Sequence, residues 1–445
     1  MSTAPTAPRA ALLLLAYLAF VSLGLPDGLI GVGWPSIRAD FGVPTEAVGL
    51  VLTAGTAGYL TSSVLAGFTL ARLGVGWLLA GSTLLASLAL TGYSVSPGLA
   101  LMIGCALLLG LGSGAIDSGL NAYAAGAFGP RHMNWLHAFF GLGVAIGPLI
   151  MTAALSLGLA WRWGYGIVAA AQLALAVAFA LSVRAWRPRA GRADTSVAPA
   201  AVADAVSGPA GSVGIPSEGG TEAASPAPVP IRETLRLPAV WLGALAFTVY
   251  VAIEVAAGLW AFLLLTEGRG LSAGTAGLCV SAYWGSLFLG RVVQGVVAER
   301  LGPDRVLRAS LLGMAAGAAL IAVPGPAWVA VVGLVVVGFA AAPVFPLLTL
   351  TTADRVGAAH ADRTIGLQIG AAGLGGALVP AGIGVLLGNT SVQALGPALF
   401  VFAVGLIALH AAGSRRPPVA AARSGDPVRQ PVEEGAGSSP GPSTS

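Results

Sequence analysis

Asp117 and Asn121 lie four residues apart in the stretch GLGSGAIDSGLN (residues 110–121), in the middle of a long apolar segment. Residues with this spacing share one face of a helix. An acid halfway across a bilayer is costly, and it usually faces a cavity or a polar partner and has a function there. We therefore expect Asp117 to exchange protons in a central cavity and Asn121 to hydrogen-bond a substrate. The alternative for Asp117 is a structural hydrogen bond to Asn121 or to His137.

Asp27 is a second acid in an apolar segment, and it directly follows Pro26. A proline inside a helix removes a backbone hydrogen bond, so we expect a kink beside this acid. The prediction is that Asp27 accepts a proton or a substrate hydroxyl. The alternative places it near the outer membrane interface, paired with Arg38 or with solvent.

His137 and Glu254 complete the candidates for proton coupling. Histidine changes its charge near neutral pH, which suits a proton relay, although a lone histidine often only joins two helices by a hydrogen bond. Glu254 is expected either in the cavity or in a structural pair with Arg291. For Arg291 the simplest interpretation is a side chain that snorkels towards the cytoplasmic surface.

If the solute carries hydroxyl groups, its site also needs amides for hydrogen bonds and aromatic rings as platforms for flat C–H faces. Most aromatic residues of membrane proteins pack or lie at interfaces, and this stays the alternative for each. The candidates are Asn121, Gln294 and Gln368 for hydrogen bonds and Trp34, Tyr250, Trp260, Tyr283 and Trp284 for the platforms.

The elements that must position these residues are membrane-spanning helices, because 56% of the 445 residues are hydrophobic and only 9% are charged. The arginines fall in loops and do not form the clustered surface that nucleic-acid binding needs. Cys105 and Cys279 lie in separate apolar segments, and no HExxH, GxSxG or phosphate-loop motif is present. We therefore expect no enzyme, no metal and no cofactor, with a proton gradient as the energy source.

Hydropathy predicts twelve spans in two sets of six, with a Pro- and Ser-rich segment between them that cannot bury a core. The predicted regions are an N-terminal six-helix bundle (1–184), a mostly disordered cytoplasmic linker (185–237), a C-terminal six-helix bundle (238–413) and a disordered tail (414–445). The predicted spans are 11–33, 46–70, 76–94, 98–127, 134–157, 162–184, 238–265, 274–298, 305–323, 326–352, 363–388 and 392–412.

Arginine positions predict the orientation. With both termini in the cytoplasm, only Arg38, Arg162 and Arg269 fall in external loops, which agrees with the positive-inside rule. Every basic residue is arginine, and this composition favours a GC-rich bacterial genome. We expect a multi-pass monomer in the bacterial cytoplasmic membrane, with the lipid bilayer and a small-molecule substrate as its partners.

The two halves contain matching segments. The stretch GFTLARLG (67–74) corresponds to GVVAERLG (295–302), and GLGVAIGP (141–148) corresponds to GLGGALVP (373–380). A similar offset brings Asp27 onto the region of Glu254. Such parallel repeats bind their substrate between the halves near the membrane midplane.

On these segments the chain resembles the major facilitator superfamily, whose loop after spans two and eight carries a glycine, an acid–arginine pair and a second glycine. The second copy matches with Glu299 and Arg300, whereas the first has Ala71 before Arg72. The resemblance implies an all-α fold of two pseudo-symmetric six-helix bundles and gating roles for Arg72, Glu299 and Arg300. Pro346, in the APVFP stretch, is expected to break span ten and act as a hinge.

Within that superfamily the chain is most similar to the fucose permease-like sugar:proton symporters. The resemblance rests on LPDGLIGVGWPSI (25–37), GAIDSGLN (114–121), MNWLHAFFGLGVAIGP (133–148) and YVAIEVAAGLW (250–260). It implies that Asp27 and Asp117 couple protons to a sugar-like solute. The alternative is a proton-driven exporter of drugs or metabolites, which Gly143, Gly147 and Pro148 partly favour as an antiporter signature.

Overall fold

The computed structural model describes residues 10–128, 130–186 and 230–414, which form helices and turns with no β-strand in those ranges. The helices are α1 (Ala10–Phe41), α2 (Val48–Val95), α3 (Leu99–Ala127), α4 (Pro130–Ser156), α5 (Trp161–Ser182), α6 (Ile231–Arg236), α7 (Pro238–Leu263), α8 (Ala273–Leu301), α9 (Pro303–Ala322), α10 (Ala327–Ala341), α11 (Val344–Leu350), α12 (Thr352–Val356), α13 (Ala358–Asn389) and α14 (Leu395–Ser414).

Across the described ranges, eleven helical segments are long and apolar enough to cross a membrane. One of them contains α2, which has 48 residues; a straight helix of that length would extend about 72 Å, twice the thickness of a bilayer. At Gly74 the backbone adopts φ 71° and ψ 163°, a conformation that glycine tolerates best. The helix therefore forms two arms, and the described residues provide twelve passes, as the sequence predicted.

The break in span ten differs from the prediction. Helix α10 ends at Ala341 and α11 begins at Val344, so the turn lies at Ala342 and Pro343. Pro346 lies within α11, where its missing amide hydrogen falls in the first turn and costs little. The predicted interruption is confirmed, but Pro343 occupies the turn itself.

Helix contacts divide the chain into two groups of six passes. In the first group α1 packs against α4 and α5, and α2 packs against α3 and α5. In the second group α7 packs against α13 and α14, and α10 packs against α8 and α9. The two groups meet where α4 contacts α8, α2 contacts α13, and α1 contacts α7. This is the predicted pair of six-helix bundles.

Glycines allow the closest helix contacts of α3. A Cβ on Gly110 would overlap the Gly55 carbonyl oxygen of α2, and one on Gly114 would lie 2.5 Å from the Tyr59 carbonyl oxygen. Gly112 faces the other arm of α2, where a Cβ would lie 2.8 Å from the Ser82 carbonyl oxygen. The three glycines thus bring the polar part of α3 against both arms of α2.

Most of the predicted linker, and all of the predicted tail beyond Ser414, lie outside the described residues. Helix α6 falls inside the predicted linker and differs from it. Its Thr234 is buried, with the hydroxyl 2.9 Å from Nδ1 of His360. The second bundle therefore begins with a short ordered helix before its first membrane pass.

Candidate transport cavity

A cavity of about 380 Å³ lies between the two bundles, a volume suited to a small molecule. All four residues predicted to couple protons line it: Asp27 from α1, Asp117 from α3, His137 from α4 and Glu254 from α7. Apolar side chains from both bundles make up most of the remaining wall. The placement agrees with the pseudo-symmetry that relates Asp27 to Glu254.

Asp117 accepts side-chain hydrogen bonds from Tyr59 and Asn121. The Tyr59 hydroxyl donates to one carboxylate oxygen over 2.5 Å, and the Asn121 amide donates to the other over 3.1 Å. Hydrogen bonds to an ionised carboxylate are stronger than neutral ones, so this pair fixes the position of Asp117. Asn121 is buried and lies outside the cavity lining, so it contacts the acid and not the cavity.

Asp27 contrasts with Asp117. Its side chain is exposed to the cavity, and no described residue forms a hydrogen bond or ion pair with it. Arg38 binds Glu267 over 3.0 Å, so the alternative pairing of Asp27 with Arg38 is wrong. An exposed acid without a fixed partner is available to a proton or a solute in the cavity.

Glu254 is held by three groups of its own bundle. Arg291 lies 3.6 Å from one carboxylate oxygen, the Tyr250 hydroxyl donates to the other, and the Tyr283 hydroxyl donates to the Glu254 carbonyl over 2.7 Å. The Arg291 and Glu254 side chains are only 14% and 15% exposed. The snorkelling interpretation of Arg291 is therefore wrong, because its guanidinium joins Glu254 at the cavity.

Arg291 also faces the first bundle. A Cβ on Gly141 of α4 would lie 3.8 Å from its Nη1 atom, and Gly141 is four residues after His137. Within the described chain, Nη1 and Nε of Arg291 are buried without a hydrogen-bond partner. His137 packs edge-on against Phe20 with ring centres 5.3 Å apart. The guanidinium thus lies at the boundary between the two bundles.

The predicted substrate contacts separate into two groups. Tyr250 and Trp284 line the cavity. The indole groups of Trp34 and Trp260 donate to the carbonyl oxygens of Thr45 and Pro380 over 2.8 Å and 3.0 Å, away from the cavity lining.

Tyr283 and Gln368 also lie outside the cavity lining. Gln368 accepts a hydrogen bond of 3.0 Å from the Thr352 hydroxyl. Trp34, Trp260, Tyr283 and Gln368 are thus fully or almost fully buried packing residues, against the prediction of direct substrate contact. The side chain of Gln294 lies outside the described residues.

Tyr59 could not be identified as a site residue from the sequence, although its hydroxyl donates a hydrogen bond to the Asp117 carboxylate. It lies in an apolar stretch of α2 that has no charged or amide residue nearby, so no spacing connects it to an acid. The cavity also has Tyr93 and Tyr165 on its wall, whose rings meet edge-on at 5.0 Å. Only the fold shows which tyrosines face inward.

The predicted gate has two exposed members, Arg72 and Arg300. Neither forms an ion pair with a described residue, and the Glu299 side chain lies outside the described set. At the opposite end, predicted to be extracellular, the bundles are joined by the Arg38–Glu267 ion pair. Close packing of Gly49 on Ala381 adds to this contact. The cavity is therefore closed at the Arg38 end.

The family model described as Major Facilitator Superfamily matches residues 16–380, with a second match over 255–437. The chain belongs to the major facilitator superfamily. A crystal structure of a mutant of the nucleoside transporter NupG is similar to it, with a TM-score of 0.70 and 15% identity, covering 91% of this chain and 99% of that one. No curated protein matches the sequence.

Membership of the superfamily identifies the protein as a multi-pass membrane transporter and not an enzyme. At 15% identity the similarity to NupG supports the fold alone. The likeness to fucose permease-like symporters is a finer statement, and it stays a prediction, as do the roles of the individual site residues.

Proposed function

We propose that this protein is a proton-coupled secondary transporter. It would move a small hydroxylated solute through the central cavity by alternating access. The observation that carries the proposal is the grouping of Asp27, Asp117 and Glu254 around one cavity between two bundles. Midplane acids of this kind mark proton relays and substrate pathways in membrane proteins.

The two acids of the first bundle, Asp27 and Asp117, have different roles in this proposal. Asp27 is exposed and has no fixed partner among described residues, so it is the group that takes up and releases the proton. Asp117 is fixed by Tyr59 and Asn121, so it offers a carboxylate of set orientation to a solute hydroxyl. Tyr250 and Trp284 supply aromatic surface on the opposite wall.

Charge favours a neutral solute accompanied by protons. The cavity has three carboxylates, those of Asp27, Asp117 and Glu254, against the single guanidinium of Arg291 among its described lining. An anion would meet uncompensated negative charge in a medium of low dielectric constant, which is costly. Sugars are neutral and therefore satisfy this condition. Nucleosides, the substrates named for NupG, also combine a hydroxylated ring with a flat base.

The conformation fits an inward-facing stage of the cycle. The Arg38–Glu267 pair and the packing of Gly49 on Ala381 close the end predicted to be extracellular. Rocking of the two bundles against each other would break this closure and expose Asp27 to the other side.

The test is substrate-driven proton movement in proteoliposomes, measured with a panel of neutral sugars, nucleosides and lipophilic cations. We expect a hydroxylated neutral solute to drive protons inward with it. Asp40→Asn is the matched control for Asp27→Asn in this assay, since Asp40 bonds to Arg162 at the surface and lies outside the cavity lining. Proton movement opposite to a lipophilic cation, with no response to any hydroxylated solute, would contradict the proposal.

The second candidate is a proton-driven exporter, and the apolar cavity wall is the observation that favours it. Phe20, Phe140, Leu259 and Phe345 line the cavity beside the acids. An amphipathic cation could place its apolar part there and its charge at Asp27. The same proteoliposome panel separates the two functions by the direction of proton flow.

A further inference from the structure

A second groove, of about 430 Å³, lies between the start of α9 and the end of α14 and shares no lining residue with the transport cavity. Both helix ends are on the side predicted to be cytoplasmic. Leu312 on its wall is 62% exposed, so the groove opens towards the lipid. Its volume is within the range of small-molecule sites.

The groove changes from charged to apolar along the helix axis. On α9, Asp304 lies at the outer end and Arg308 lies four residues further, about 6 Å deeper. Leu311 and Leu312 form the next turn towards the membrane centre. On α14, Ile407 lines the deeper part. The order from outside to inside is therefore carboxylate, guanidinium, aliphatic side chains.

Two guanidinium groups lie at or beside this groove without a direct ion pair to a described carboxylate. Neither Arg308 nor Arg355 forms an ion pair in the described chain, although the Arg308 Nε donates to the Asp304 carbonyl over 3.3 Å. The half-buried guanidinium of Arg355 lies 3.4 Å from Nδ1 of His410, which lines the groove. Burial lowers the pKa of Arg355, and the carboxylates Asp304 and Asp354 offset part of that effect. A phosphate in the groove would compensate the guanidinium of Arg308, which lines it.

We propose that this groove binds phosphatidylethanolamine, with the ammonium at Asp304, the phosphate at Arg308 and an acyl chain along Leu312. In this lipid the ammonium lies outermost, the phosphate next and the acyl chains deepest, which is the order of the complementary groups on α9. A purely anionic headgroup would meet the Asp304 carboxylate unpaired, and a methylated choline headgroup cannot donate hydrogen bonds to it. Charge complementarity thus selects a primary ammonium.

The test is native mass spectrometry of the purified full chain with phosphatidylethanolamine, phosphatidylcholine and phosphatidylglycerol of identical acyl chains. We expect the ethanolamine lipid to be retained about fivefold better than the choline lipid, as for the loss of one exposed ion pair. Equal retention of these two lipids, or tighter retention of phosphatidylglycerol, would overturn the proposal. This comparison needs no variant.

Variants then locate the site. Asp304→Asn should remove the preference for the ethanolamine lipid, whereas Arg308→Gln should weaken both zwitterionic lipids about fivefold. Arg305→Gln is the matched control, because this neighbouring arginine is exposed and lies outside the groove lining. An equal effect of Arg305→Gln would show that general surface charge, and not this groove, retains the lipid.

Discussion

The Tyr59 hydroxyl donates a 2.5 Å hydrogen bond to the Asp117 carboxylate and so joins α2 to α3 at the wall of the cavity. The contact requires the two helices to approach closely, and Gly110 and Gly114 make that approach possible. The position of the central acid therefore depends on one tyrosine and on two glycines. Each dependence leads to a measurable prediction.

Tyr59→Phe removes a side-chain donor to Asp117 and leaves the ring in place. We expect the transport rate to fall at least about tenfold, since hydrogen bonds to charged groups contribute roughly 1.5–3 kcal/mol. Tyr93→Phe is the matched control, because Tyr93 lines the same cavity without a hydrogen bond to Asp117. Equal rates for the two variants in proteoliposomes would show that the hydroxyl does not position Asp117.

Gly110→Ala places a methyl group against the Gly55 carbonyl oxygen, so α2 and α3 must separate. We expect the free energy of unfolding to fall by about 1–3 kcal/mol, as for other overpacked contacts. Gly104→Ala on the same helix is the control, because a Cβ there meets no atom within 4 Å. Thermal unfolding in detergent measures both, and a Gly110 variant as stable as the Gly104 variant would refute the close packing.

Arg291→Gln leaves the Glu254 carboxylate without its cation at the cavity. We expect a loss of about 1–3 kcal/mol in the free energy of unfolding, because one buried charge becomes uncompensated. The double variant Arg291→Gln with Glu254→Gln should regain part of that stability. A double-variant cycle of thermal unfolding measures the coupling, and strictly additive losses would argue against a functional pair.

The Arg38–Glu267 pair is an exposed contact between bundles, so it should contribute less than about 1 kcal/mol to overall stability. Its expected effect is on the conformational equilibrium. In a background with Cys105 and Cys279 replaced by alanine, Glu267→Gln should increase maleimide labelling of a cysteine introduced at Thr56 of the cavity from the predicted extracellular side. Exchanging the two charges should restore the original labelling. Unchanged labelling in Glu267→Gln would show that the ion pair does not keep the predicted extracellular side closed.

The sequence could predict the helices and the acids because both leave strong local signals. Long apolar runs define the passes, and Asp27, Asp117 and Glu254 stand out inside them as costly exceptions. These features depend on residue type and spacing along one helix.

The aromatic residues and the hinge could not be placed in the same way. A helix that is apolar all round does not show which face meets the cavity, so Trp34 and Trp260 could not be told from Trp284. Tyr59 meets Asp117 only through packing of α2 on α3. In the APVFP stretch two prolines were available, and the choice of Pro343 for the turn depends on how α10 and α11 pack.

The central claim is that Asp27 couples proton flow to transport. The most direct measurement compares substrate exchange with uphill accumulation in proteoliposomes containing Asp27→Asn. We predict that exchange of the solute across the membrane continues, because binding and rocking do not need the proton, while accumulation driven by a proton gradient is lost. Accumulation at the wild-type level would contradict the account, since Asp27 would then not be needed to couple proton flow to transport.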